Sequence, residues 1–145
     1  MDPFTFNSNT TTIPRSKSDD SSYRYKMPLL TTSTTGTRQN TLTHLDNLPD
    51  IAKALERDSE MILKYLSLRL QTRLVYDPQN RIYALRGAYQ LEDIENLLDD
   101  FIEVFVVCDR CGYPEMTMEV GDEVGLSCRS CSRWREVEGE GKMVQ

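Results

Sequence analysis

Cys108-Asp109-Arg110-Cys111 and Cys128-Arg129-Ser130-Cys131, with sixteen residues between them, decide how this chain is read. Two Cys-x-x-Cys pairs at this separation are the pattern of a four-thiolate zinc site. Each pair folds into a tight knuckle that presents two sulfurs, about 2.3 Å from one shared ion. The intervening segment is long enough to run out and back as a hairpin. These are all four cysteines of the chain. Two disulfides would require an oxidising compartment, and the N-terminus lacks the basic-then-apolar pattern of a signal peptide. A redox pair would need only one Cys-x-x-Cys, inside a thioredoxin-like unit. The reading is therefore one structural Zn2+ held by Cys108, Cys111, Cys128 and Cys131. Four thiolates leave no open position for a catalytic water.

Working outward, Met116 to Val120 and Val124 to Leu126 read as strands flanking a Gly121-Asp122-Glu123 turn, and Trp134 to Val137 as a third strand. Upstream lies the clearest helix, Leu91 to Phe105. Leu91, Ile94, Leu98, Phe101 and Phe105 form one stripe, and Glu92, Asp93, Glu95, Asp99, Asp100 and Glu103 fill the opposite face. It runs almost directly into Cys108, so the ribbon should be coupled to what precedes it.

Thr72 to Tyr76 and Arg81 to Leu85 alternate around Asp77-Pro78-Gln79-Asn80, a hairpin pattern. Leu48, Ile51, Ala52 and Leu55 recur at helical spacing after Asn47, a plausible cap, with Pro49 in the first turn. Ser59 would cap a second helix through Leu70. Thr31 to Thr37 reads as a loop around Gly36, and Asn40 to Leu45 as a short strand. Residues 1–22 are rich in Ser, Thr, Asn and Asp and are expected to be a disordered leader. The fold class is α+β: a small helix-strand domain, residues 23–107 with an N-terminal tail, then a C-terminal four-cysteine zinc ribbon, 108–137, and a frayed tail, 138–145.

The formal net charge of −6 and pI of about 4.8 argue against a protein whose main task is to coat nucleic acid. No apolar run approaches the roughly 20 residues that span a membrane. There is no Gly-x-x-x-x-Gly-Lys loop, so the chain should not bind GTP itself. His44, the one histidine, has no catalytic partner at a recognisable spacing and reads as structural.

Three features occur in a telling order: Tyr23-Arg24-Tyr25-Lys26-Met27-Pro28, then Asp50-Ile51-Ala52-Lys53-Ala54-Leu55, then Phe101 to Val107 leading into Cys108. This order resembles the N-terminal domain of eukaryotic translation initiation factor 5, which shares its fold with part of the beta subunit of initiation factor 2. The resemblance runs from about Tyr23 to Val137. It implies a cytoplasmic protein that promotes GTP hydrolysis by initiation factor 2, bound with initiator tRNA on the small ribosomal subunit, during start-codon selection. The resemblance implies that Arg24 is an arginine finger supplied in trans, and that this protein has no active site of its own. Tyr23 and Tyr25 would anchor the tail. Tyr23, Tyr25, Lys26 and Lys64 are candidate contacts to partner or RNA, Lys64 with Tyr65 resembling a lysine-aromatic pair of the family.

Bland readings stand beside these. Arg24 and Lys26 would flank the first segment as ordinary surface, and Lys64 would be a solvated helix lysine. Two other functions compete: a non-catalytic module occupying the factor 5 or beta-subunit position, and a zinc-ribbon nucleic-acid binder. The family also carries a helical-repeat C-terminal domain that is expected to be absent here, and the leader is longer than the family's.

Overall fold

The computed structural model describes residues 10–14, 25–108, 110–120, 124–132 and 134–137. Two short strands open it: β1 (Thr10–Thr12) and β2 (Lys26–Pro28), antiparallel, with Thr11 opposite Met27. The expected disorder over 1–22 is therefore corrected at Thr10–Thr12. The strand needs only backbone partners along β2, and Ile13 behind it is buried. The rest of that stretch, the tail at 138–145 and the Gly121-Asp122-Glu123 turn lie outside the described residues.

A four-stranded antiparallel sheet follows. Its strands are β3 (Thr32–Thr35), β4 (Leu42–Leu45), β5 (Leu74–Asp77) and β6 (Ile82–Arg86), in spatial order β3-β4-β6-β5. The expected loop at Thr31 to Thr37 is thus corrected: Thr32–Thr35 is an edge strand, paired from Thr32–Leu45 to Thr35–Leu42. Gly36 makes the turn after it at φ +85°, a conformation glycine adopts without penalty. Thr43, Leu45, Tyr83 and Leu85 lie on the face turned to the core. Buried Thr43 is satisfied, its hydroxyl donating to the Gly87 carbonyl at 2.7 Å and accepting from the Tyr89 amide at 3.1 Å.

Helix α1 (Leu48–Leu55) buries Leu48, Ile51, Ala52 and Leu55, the expected stripe. Asn47 precedes it but does not cap it with its side chain. Its Nδ2 donates to the Leu29 carbonyl at 2.6 Å and its Oδ1 accepts from the Thr31 amide at 3.0 Å, tying down the chain after β2. Glu56 then adopts a left-handed conformation, φ 56°, ending the helix. Helix α2 (Ser59–Arg69) is capped by Asp58, one residue before the expected Ser59: the Asp58 carboxylate accepts from the Glu60 amide at 3.0 Å. Helix α3 (Leu91–Phe105) has the expected limits, with Glu92 and Asp93 in the first turn where the helix dipole favours negative charge. Tyr65 of α2 meets Phe101 and Phe105 of α3 edge-on, at 5.4 and 5.9 Å between ring centroids. These three rings are fully buried and centre the core.

After α3 only Val106 and Val107 precede the first knuckle. Strands β7 (Met116–Val120), β8 (Val124–Cys128) and β9 (Trp134–Val137) form the ribbon, in that spatial order. Met116, Val124, Leu126 and Val137 join the same buried cluster as the helices, so one core runs through both parts.

Candidate functional site

The four cysteines converge although two knuckles contribute them. All four Sγ atoms lie within 4.8 Å of one another. Cys108 Sγ is 3.6 Å from Cys131 Sγ, and Cys111 Sγ is 3.6 Å from Cys128 Sγ. Four sulfurs placed tetrahedrally about one ion at 2.3 Å would stand roughly 3.8 Å apart, so the quartet fits a metal ion. Each knuckle closes with an amide of the turn: Gly112 N–H donates to the Cys108 carbonyl and Ser132 N–H to the Cys128 carbonyl, both at 2.9 Å. The metal-free thiols differ. Burial works to raise Cys108, but amide hydrogen bonds from Cys111 and Arg110 bring it down to about 7. Burial, with the neighbouring thiols, pushes Cys111 up to about 12. A dication binding here would displace the remaining protons.

The ribbon is coupled to the helices by a half-buried arginine that carries no signal in the sequence. The left-handed turn at Glu56 sends the Arg57 side chain inward. Its Nη2 donates to the Phe105 carbonyl at 2.6 Å and to the Met116 carbonyl at 2.7 Å, and its Nη1 to the Glu56 carbonyl at 2.9 Å. It thus caps the C-terminal end of α3 and holds the first residue of β7. Burial lowers its pKa to about 10, so it stays charged at neutral pH. Arg135 of β9 donates to the Val104 carbonyl, a second tie.

Tyr25 is held by the ribbon. Its ring packs against Tyr113, 6.0 Å between centroids, and its hydroxyl donates to the Glu115 carboxylate. Glu115 also meets Arg129 of the second knuckle at 3.2 Å, and Arg129 reaches Glu56 at 2.6 Å. Neither Glu115 nor Tyr113 carried a signal in the sequence, since each is an isolated polar residue in a turn.

Of the other candidates, Lys26 lies in β2 opposite Thr12, and Lys64 is half-buried on α2. Tyr65, next to Lys64, is 1% exposed and belongs to the core. Tyr23 and Arg24 lie outside the described residues. His44 Nε2 sits 2.8 Å from the Thr35 hydroxyl across the β3–β4 edge. The open face of the ribbon carries Thr117, Glu119, Ser127, Trp134 and Glu136. Its two carboxylates and lone exposed indole are a poor surface for phosphates.

Comparison with known proteins places these features in context. A family model for the domain found in initiation factor 2B and initiation factor 5 matches residues 14–134. The chain is 34% identical over 122 residues to "Eukaryotic translation initiation factor 5" of Mus musculus, covering 82% of this chain and 28% of that protein. It is 32% identical over 134 residues to the protein of the same name from Zea mays, covering 91% and 30%. The Caenorhabditis elegans protein of that name is 34% identical over 113 residues, covering 77% and 26%. The chain therefore spans less than a third of the length of these relatives. Among the described residues no helix is long and apolar enough to cross a membrane.

Proposed function

Because the chain belongs to the family defined by the domain of initiation factors 2B and 5, we propose that it is a translation initiation factor 5-like GTPase activator. In this reading it acts on initiation factor 2, bound with initiator tRNA on the small ribosomal subunit, and Arg24 works in trans. The observation that carries the reading is the family match over residues 14–134, which takes in both the Tyr23–Pro28 segment and the cysteine quartet.

The chemistry follows from the charge that develops on a transferring phosphoryl group. A guanidinium is planar and permanently charged, and it offers two donors to those oxygens at once. Fingers supplied in trans raise GTPase rates by about 10³–10⁵. Such a residue must reach out of its own protein's core into the partner's site. The ion assigned to Cys108, Cys111, Cys128 and Cys131 is zinc, which with four thiolates would cross-link the knuckles and offer no position to a substrate. Lys26 and Lys64 are proposed contacts to partner or RNA, and Tyr23 and Tyr25 anchors of the tail.

The test is single-turnover GTP hydrolysis by initiation factor 2 with initiator tRNA and small subunits, run without this protein, with it, and with Arg24→Ala. The expected result is strong stimulation that disappears in the variant. Stimulation that survives Arg24→Ala would rule out the finger. Binding without stimulation would assign the chain instead to a non-catalytic module at the same position.

A further inference from the structure

We infer that the open face of the ribbon is a docking surface for an arginine-bearing segment of a protein partner, seated on Trp134 between Glu119 and Glu136. The inference is independent of the activator reading. The opposite face of the same sheet sends Met116, Val124, Leu126 and Val137 into the common core. On the open face Trp134 keeps 60% of its surface, more than any other large apolar residue described. A lone exposed apolar residue is ordinary. The seat under this one is not. Gly125 lies in the interior of β8, where a glycine weakens the strand and commonly marks a close approach. It is not among the glycines with left-handed backbone, Gly36, Gly87 and Gly112, so the main chain does not require it. The indole does. A Cβ on Gly125 would lie 3.3 Å from Trp134 Nε1 and 3.5 Å from its Cζ2. The ring therefore crosses from β9 over β8, and it does so without being buried.

The register sets a charge on each side of that ring. Glu119 stands opposite Gly125, and Gly125 opposite Glu136, in one row across the three strands. With neighbouring strands about 4.8 Å apart, the two glutamate Cα atoms are about 10 Å apart, with the overhung glycine between them. Among the described residues no lysine or arginine stands on this face. Arg129, at the knuckle end, is held by Glu56 at 2.6 Å and Glu115 at 3.2 Å, and Arg135 reaches the Val104 carbonyl on the other side. The face thus offers an aromatic surface, which attracts cations, and two carboxylates, which repel phosphates and acidic segments. A guanidinium answers both features at once. It stacks on the indole through its plane and donates to a carboxylate from its edge, whereas an ammonium is a point charge that does not stack. One such contact at an exposed site is weak, so the cation must arrive on a chain that carries several basic side chains.

The test titrates the zinc-loaded full chain into a short, dye-labelled peptide of alternating arginine and glycine, with affinity read by fluorescence anisotropy. Matching peptides carry lysine or uncharged citrulline in place of arginine. Trp134 is the one tryptophan of the chain, so its emission reports contact at the proposed seat. The expected result is saturable binding that shifts this emission, weaker with lysine and absent with citrulline. Glu119→Gln, Glu136→Gln and Trp134→Leu should each weaken binding about two- to fivefold, and together about tenfold or more, with zinc retained. Glu92→Gln with Glu103→Gln, on the exposed face of α3, should leave it unchanged. Absence of saturable binding would overturn the inference. So would undiminished affinity in the triple variant, or an equal loss in the α3 variant, since either would reduce the attraction to net charge. Emission that responds to a single-stranded RNA oligonucleotide and not to the arginine peptide would overturn it as well.

Discussion

Replacing Arg57 with methionine tests how the ribbon is joined to the helices. Methionine retains the apolar stem and removes the guanidinium. Besides the local bond to the Glu56 carbonyl, the two bonds that join the ribbon to α3 are lost, to the Phe105 carbonyl at 2.6 Å and the Met116 carbonyl at 2.7 Å. At about 1.5–3 kcal/mol each, they contribute about 3–6 kcal/mol. Against this, the fall in pKa from 12.5 to about 10 marks a burial cost of about 3 kcal/mol for the charged form, which the variant escapes. Taken at the middle of that range, the net loss should be about 1–2 kcal/mol. The chain's one tryptophan, Trp134, lies in β9, so its fluorescence reports on the ribbon, while far-ultraviolet circular dichroism is dominated by α1, α2 and α3. In urea the two signals should coincide for the parent protein. In Arg57→Met the fluorescence transition should move to lower urea and separate from the helical one. Coincident transitions at the parent midpoint, or a more stable variant, would mean that the guanidinium merely occupies space there and that apolar packing makes the joint.

Metal analysis of protein purified under reducing conditions should find one zinc per chain, and a strong chelator should unfold the ribbon before the helices, seen first at Trp134. Tyr65→Ala should cost about 3–5 kcal/mol in denaturant titration because it empties the centre of the core, whereas Tyr65→Phe, which keeps the ring and loses the bond from Arg69, should cost about 1 kcal/mol. Gly36→Ala should destabilise by about 1–3 kcal/mol, since a Cβ there would lie 2.1 Å from the Asn40 carbonyl oxygen at a φ of +85°. An alanine variant as stable as the parent would show that the β3–β4 turn can relax.

The parts of the fold that were legible are those in which burial writes a period into the sequence. Helix α3 alternates apolar and acidic residues over four turns, and the four cysteines announce their own geometry. The strands made of threonine and serine left no such trace. Thr10–Thr12 and Thr32–Thr35 lie on edges, where the ladder needs only backbone groups, and of their side chains only that of Thr12 is buried. Asn47 stood at a helix start but spends its amide on the neighbouring loop, a choice that depends on residues brought close only by folding. At the candidate site, the metal ligands could be read by spacing. Arg57, Tyr113, Glu115 and Arg129 could not, because each acquires its role from a partner distant in sequence, as in the pairing of Tyr25 with Glu115.

The shortness of the connection between α3 and Cys108 has a consequence for how this chain can change. Each residue added to a helix turns everything beyond it by about 100° and advances it by about 1.5 Å. With only Val106 and Val107 between Phe105 and the first knuckle, no slack exists to undo that rotation. A single insertion or deletion within α3 would swing the Met116 carbonyl away from Arg57 and carry Glu115 away from Tyr25 together. The length of α3 is therefore a phase setting. Substitution on its solvent face should be freely accepted, while a change of one residue in its length should disconnect both ends of the molecule at once.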